Sequence, residues 1–291
     1  MANAKKSNQG QSARDRIRAQ HESKQKAQKR NSLLLRVGVI ALVLAVIGIV
    51  AIIIIGNSSR NIPDAGPAPA GATENGGINF VSNTAVSDKE VEEVTVEGLH
   101  EPSEEEFMAN MENPKVPAGV SAATEGKTDK VVIYADPACG YCAEFEAQNS
   151  TFLEEKAAAG DIEVEYRTVG FLDKNSPTNF SARAANMLAC VADTAPEKFM
   201  EVNAALYAGQ AGGEKSDKEL IELAQASDVD VTSCVNDNKF RPFVNYTTGK
   251  AREDMIPGTP TVYVNDKSWD AQQQPNFQEF YADALSETAK N

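Results

Sequence analysis

The spacing of apolar residues changes character along this chain, and each change predicts a different element. Residues 37–56 run twenty positions without a charge, enough at about 1.5 Å per residue to cross a hydrocarbon core of about 30 Å. Residues 57–77 are rich in Pro, Gly, Asn and Ser and have no period, which predicts a linker. A short strand fits residues 78–81, and the acids at 104–106 open a short helix through Met111. The β-branched run at residues 130–135 reads as a buried strand. The helix predicted at 143–156 places Phe145, Phe152 and Leu153 on one face. Alternation at 161–167 predicts another strand, continuing to Val169. Phe180, Ala184, Met187, Leu188 and Val191 then mark an amphipathic helix. Pro196 opens a second, with Phe199, Val202 and Leu206 inward and Gly209 near its end. A third helix centres on Leu220, Ile221, Leu223 and Ala224, and a fourth covers 240–253. Residues 261–264 return to strand, before a last helix with Phe277, Phe280, Tyr281 and Leu285 on its face.

Parallel strands joined by helices give an α/β sheet, with the helical block at about residues 176–254 inserted in it. The predicted organisation is a basic tail (1–36), a transmembrane helix (37–56), a Pro/Gly-rich and then acidic linker (57–115), and a compact domain (116–291). The linker holds the short strand and helix. The domain is long enough to bury a real core.

Charge orients this arrangement. Up to Arg36 there are ten Lys and Arg against two acids; the rest of the chain has eighteen against forty. That asymmetry is the positive-inside pattern, with the N-terminus cytoplasmic and everything after residue 56 outside. A cleaved signal peptide is the competing reading, but its apolar region is about 7 to 15 residues with a small-x-small site close behind. Here the apolar run is longer, no such site follows it closely, and no cysteine follows for lipid attachment. The expectation is a single-pass protein of the cell membrane, contacting lipid through residues 37–56. Juxtamembrane charge accounts for the basic tail, so no nucleic-acid partner is expected.

All four cysteines, Cys139, Cys142, Cys190 and Cys234, follow the apolar run, consistent with an oxidising compartment. Cys139-Gly140-Tyr141-Cys142 sits between a predicted strand and a predicted helix. There the unpaired N–H groups of the helix N-terminus stabilise a thiolate on the first cysteine. Zinc of the usual kind needs a second ligand pair, and none is present: the two histidines, His21 and His100, lie in the tail and the acidic stretch. No metal and no cofactor are expected. Scarcity of histidine also excludes Ser-His-Asp and Cys-His nucleophilic machinery from the domain. A disulfide across four residues contributes only about 2 kcal/mol in the chain-entropy model, and reduction leaves its thiols together. A bridge from Cys190 to Cys234 contributes about 4 kcal/mol. The first pair therefore reads as exchangeable and the second as a staple, with two free buried thiols as the alternative for Cys190 and Cys234.

Pro257-Gly258-Thr259-Pro260 opens the strand at 261–264. Proline cannot donate to a central ladder, and a cis X-Pro bond accommodates it there. With Asp136-Pro137-Ala138 before the CxxC and a helical insertion between, residues 116–291 resemble the DsbA-like, thioredoxin-fold thiol–disulfide oxidoreductases. The resemblance implies that Cys139 is the exposed nucleophile, that Cys142 resolves the mixed disulfide, and that Thr259-Pro260 pairs with an extended client segment. It also implies two kinds of partner: exported proteins with thiols or disulfides, and a membrane redox partner that re-oxidises or reduces the dithiol.

Strongly oxidising members carry a His between the cysteines, where this chain has Gly140-Tyr141. Potentials in the family run from about −120 to about −270 mV, so this dipeptide is a large lever. Gly-Tyr with Thr before the proline resembles the disulfide isomerase branch. Many members keep a buried carboxylate six residues before the first cysteine; here Ile133 stands there, leaving water or Asp136 to take the proton. The function expected is extracytoplasmic formation or rearrangement of disulfides, as oxidase or as isomerase/reductase. The alternative is a non-catalytic binding or chaperone domain on the same scaffold.

Overall fold

A computed structural model describes residues 62–288. The basic tail and the transmembrane helix expected over residues 37–56 lie outside the described residues. Among those described, no helix is long and apolar enough to cross a membrane. In chain order the strands are β1 (Ala65–Pro67), β2 (Ile78–Ser82), β3 (Ala85–Val86), β4 (Glu93–Thr95), β5 (Asp129–Ala135), β6 (Ile162–Thr168), β7 (Thr261–Val264) and β8 (Lys267–Ser268). The helices are α1 (Glu104–Glu112), α2 (Gly140–Ala159), α3 (Phe180–Thr194), α4 (Phe199–Ala208), α5 (Asp217–Gln225), α6 (Thr232–Asn236), α7 (Arg241–Glu253) and α8 (Phe277–Thr288).

Six strands form one sheet in the order β3-β2-β6-β5-β7-β8. Only β5 and β6 run parallel, in register from Asp129↔Ile162 to Ala135↔Thr168. Their crossover is α2, as a parallel pair requires. β5 is apolar on both faces because both are covered. Val131, Ile133 and Ala135 share a core with Phe145 and Leu153 of α2 and Phe199 of α4. Val132 and Tyr134 point the other way, toward Val169, Ala251 and Ile256. Helices α3 to α7 stand between β6 and β7, and a disulfide joins Cys190 of α3 to Cys234 of α6.

Two differences from the sequence-based expectation concern what lies beside β6. The stretch expected as a linker joins the fold instead. β2 pairs antiparallel with β6 (Ile78↔Tyr166, Phe80↔Val164), and Ile78 and Phe80 are buried. Their alternation presents one apolar face, and Phe80 stacks 4.5 Å from the ring of Phe199. Gly77 is obligatory at the entry, since a Cβ there would come within 2.1 Å of the Glu165 carboxylate. The second difference is that alternate polar positions of β6 are not solvent-facing: Glu165 and Arg167 are 1% and 0% exposed. Arg167 Nε donates to Glu165 at 2.6 Å, Lys130 pairs with the other oxygen, and Tyr134 and the Ala118 carbonyl accept from the guanidinium. Burial alone would raise the Glu165 pKa, but Arg167 and Lys130 overcome it and hold the group below its ordinary value.

Candidate active site

The turn after β5 is built around Asp136. Its fully buried carboxylate accepts from the Ala138 N–H (2.8 Å), the Leu172 N–H (2.9 Å) and the Ser181 hydroxyl (2.5 Å). One side chain thus pins the turn to the 3-10 segment at 171–175 and to α3. Burial raises the Asp136 pKa, and the hydrogen bonds from Ser181, Leu172 and Ala138 offset this only in part. The turn delivers Cys139 to the N-cap of α2 with φ −82° and ψ 118°. Gln210, from the turn after α4 within the insertion, clasps it by donating to the Pro137 and Cys139 carbonyls, each at 2.9 Å.

The two thiols differ sharply. Cys139 is 7% exposed and Cys142 is sealed at 0%. Cys139 was expected to be exposed; the Thr259 loop covers it, and its Sγ donates to the Thr259 carbonyl at 3.1 Å. The sulfur is approached through a groove of about 560 Å³ that Cys139 and Thr259 line together. A hydrogen bond with Cys142 is the main influence lowering the Cys139 pKa, to about 6. Burial opposes it; the Thr259 side chain and the Cys142 and Tyr141 N–H groups assist. The helix N-terminus thus contributes to the shift through its N–H groups, but less than the neighbouring thiol does. For Cys142, burial pushes the pKa far up, and Cys139 beside it pushes further. Of the intervening pair, Gly140 has room for a Cβ, which would meet the Gln210 amide oxygen at 4.0 Å, and Tyr141 is 75% exposed.

Thr259 and Pro260 are joined by a cis peptide bond at the entry to β7. β7 pairs antiparallel with β5 (Tyr134↔Thr261), so the loop is carried to the end of β5 where the CxxC turn begins. The topology thereby joins residues 120 positions apart. Cys190 and Cys234 remain within the insertion, their Cα atoms 6.0 Å apart. Among the described residues no group of three or more His, Cys, Asp and Glu is arranged to hold a metal ion.

Sequence reasoning missed three residues behind Cys142. Glu146, one turn along α2, is 2% exposed, and neither carboxylate oxygen has a well-formed hydrogen bond. Burial raises its pKa to about 7, which the Asn203 amide of α4 offsets only in part. The hydroxyl of Tyr207, also on α4, is buried without a partner. Burial holds the tyrosine well above its ordinary value, and the charges of Cys142 and Glu146 add to the effect. Tyr207 therefore stands within electrostatic reach of both the buried thiol and the buried acid. The available signal was an acid at the i+4 position from Cys142, on a helix face otherwise marked by Phe145 and Leu153.

A family model described as Thioredoxin matches residues 120–282. Among solved structures, the chain is similar to reduced DsbG, a disulfide bond oxidoreductase from Mycobacterium tuberculosis (28% identity, TM-score 0.45, covering 53% of this chain and 78% of that one). It is also similar to reduced DsbA from Mycobacterium tuberculosis (26% identity, TM-score 0.46, 60% and 97% covered). Oxidised BdbD from Bacillus subtilis is similar at 21% identity, with a TM-score of 0.48 and 57% and 91% covered. No significant match is found among curated proteins. The sheet, the CxxC at the N-terminus of α2, the cis-proline loop facing it and the matched span agree: the chain belongs to the thioredoxin family.

Proposed function

We propose that the chain is a membrane-tethered protein thiol–disulfide oxidoreductase, acting outside the cytoplasm on the disulfides of exported proteins. The observation that carries this reading is the asymmetry of the dithiol. One thiol opens to a groove with its pKa brought down to about 6; the other is sealed and held protonated. A structural bond needs no such difference. The membrane placement rests on the apolar run at 37–56 and the basic residues before it.

In the reducing direction, the Cys139 thiolate attacks one sulfur of a client disulfide. A mixed disulfide forms and one client thiolate leaves. Cys142 then gives up its proton and attacks Cys139 Sγ, which expels the second client thiolate and leaves Cys139–Cys142 oxidised. Glu146 is the buried base suited to take that proton, by way of the Tyr207 hydroxyl or a water. In the oxidising direction the same steps reverse: two client thiols are consumed and Cys142 recovers its proton. A membrane redox partner restores the starting state in either direction.

Cys139→Ser is expected to abolish insulin reduction and thiol oxidation, while Cys142→Ser accumulates mixed disulfides with clients on non-reducing gels. Full activity in Cys139→Ser would sink the mechanism. It would favour a binding scaffold with an inert bond, whose potential lies below about −300 mV.

A further inference from the structure

The groove at Cys139 has a wall that does not come from the thioredoxin-matched span. Phe171, Leu172 and Ile256 line it from within residues 120–282, but Pro102, just before the α1 cap, and Phe107, in the first turns of α1, lie outside that span. That helix has little other packing. Its one buried residue is Asn110, and Met108 and Met111 are 57% and 53% exposed.

The segment is nevertheless positioned. Leu99 lies against α7 so closely that a Cβ on Gly249 would meet it at 2.6 Å. The His100 N–H donates to Glu253 at 3.5 Å, and Glu101 stands 4.0 Å from Arg252. Ser103 and Glu106 then close a reciprocal capping box that fixes where α1 starts. Pro102 and Phe107 occupy the positions on either side of that cap at which apolar residues staple a helix entry, and both line the groove.

We infer that Phe107 is a specificity-determining residue, selecting clients that carry an apolar side chain next to the reacting cysteine. This deepens the exchange reading above and rests on it. A client cysteine reaches Cys139 only by laying its flanking residues in the groove, extended against the Thr259 edge. The charged side chains there, Glu101 and Glu104 against Lys174 and Arg252, balance in sign. Apolar contact is therefore what distinguishes one neighbour from another, and Phe107 supplies it from outside the thioredoxin core.

The test uses two short dithiol peptides that differ only in Leu or Ser beside the cysteine, with dithiothreitol as a small dithiol, each oxidised by the disulfide form of the protein. The unmodified protein should prefer the Leu peptide. Phe107→Ser should lower kcat/KM for it about tenfold, the scale of a lost apolar contact in a pocket, chiefly through KM. The Ser peptide and dithiothreitol should be unaffected, Phe107→Leu should restore most of the preference, and Met108→Ser on the same helix should change nothing. Equal losses on both peptides, an equal loss in Met108→Ser, or no Leu preference at the outset would each overturn the inference. If dithiothreitol itself were not oxidised, the exchange reading would fail instead.

Discussion

Two buried glutamates on either side of this domain show how surroundings decide what a carboxylate does. Glu165 on β6 is met by Arg167 and Lys130, and its pKa lies below the ordinary value despite burial. Glu146 on α2 is buried to nearly the same degree with no cation and no good hydrogen bond among the described residues, and its pKa rises to about 7. The first is committed to holding β5, β6 and the end of α7 together. The second is free to change protonation near neutral pH, one helical turn from the buried thiol of Cys142. A group poised in this way is suited to proton transfer.

The most damaging way to break the contrast is to strip Glu165 of its partners. Removing both cations, Arg167→Met together with Lys130→Met, leaves an uncompensated buried carboxylate and is expected to cost about 3–5 kcal/mol in urea unfolding, with activity per folded molecule little changed. A loss under about 1 kcal/mol would mean that pairing is not what stabilises Glu165. Next in size is the pH dependence of stability. Folded Glu146 keeps its proton up to about pH 7, whereas the unfolded chain releases it near 4.5. The unfolded state therefore binds fewer protons in that window, and stability falls as pH rises through it, by roughly 3 kcal/mol. Glu165 has the opposite sign: its contribution is present above 4.5 and is lost as pH falls through its lowered folded value. Glu146→Gln should flatten the profile between pH 5 and about 7, and should slow Cys142 attack on the mixed disulfide. An unchanged profile would show that Glu146 ionises normally. The smallest effect sharpens the division of labour at the dithiol. Iodoacetamide should modify Cys139 with a midpoint near pH 6, and Glu146→Gln should leave that midpoint in place. A shift of a full unit would tie the acid to the nucleophile rather than to Cys142.

The main elements of the domain and its CxxC turn were readable because periodicity reports burial directly. Phe180, Ala184, Met187, Leu188 and Val191 gave α3, and the run at 130–135 gave β5. Beyond that, local pattern failed in a consistent way. Residues 57–77 read as a linker and 78–81 as an isolated short strand, because local pattern names no partner for either; the edge of β6 supplies one to Ile78 and Phe80. Glu165 and Arg167 read as ordinary polar positions of an alternating strand, because only the neighbouring elements bury both faces of β6.

The sequence alone determined which atoms can exchange electrons. Two cysteines at helical spacing on a strand-to-helix turn bring their thiols together whatever surrounds them. Tertiary structure decided how unequal those thiols are, and which acids are buried near them. Asp136, three residues before the motif, fixes the turn. Glu146, which the pattern passed over, is left unpaired behind Cys142. A pKa depends on burial and on neighbours brought from distant parts of the chain, and spacing along a sequence records neither.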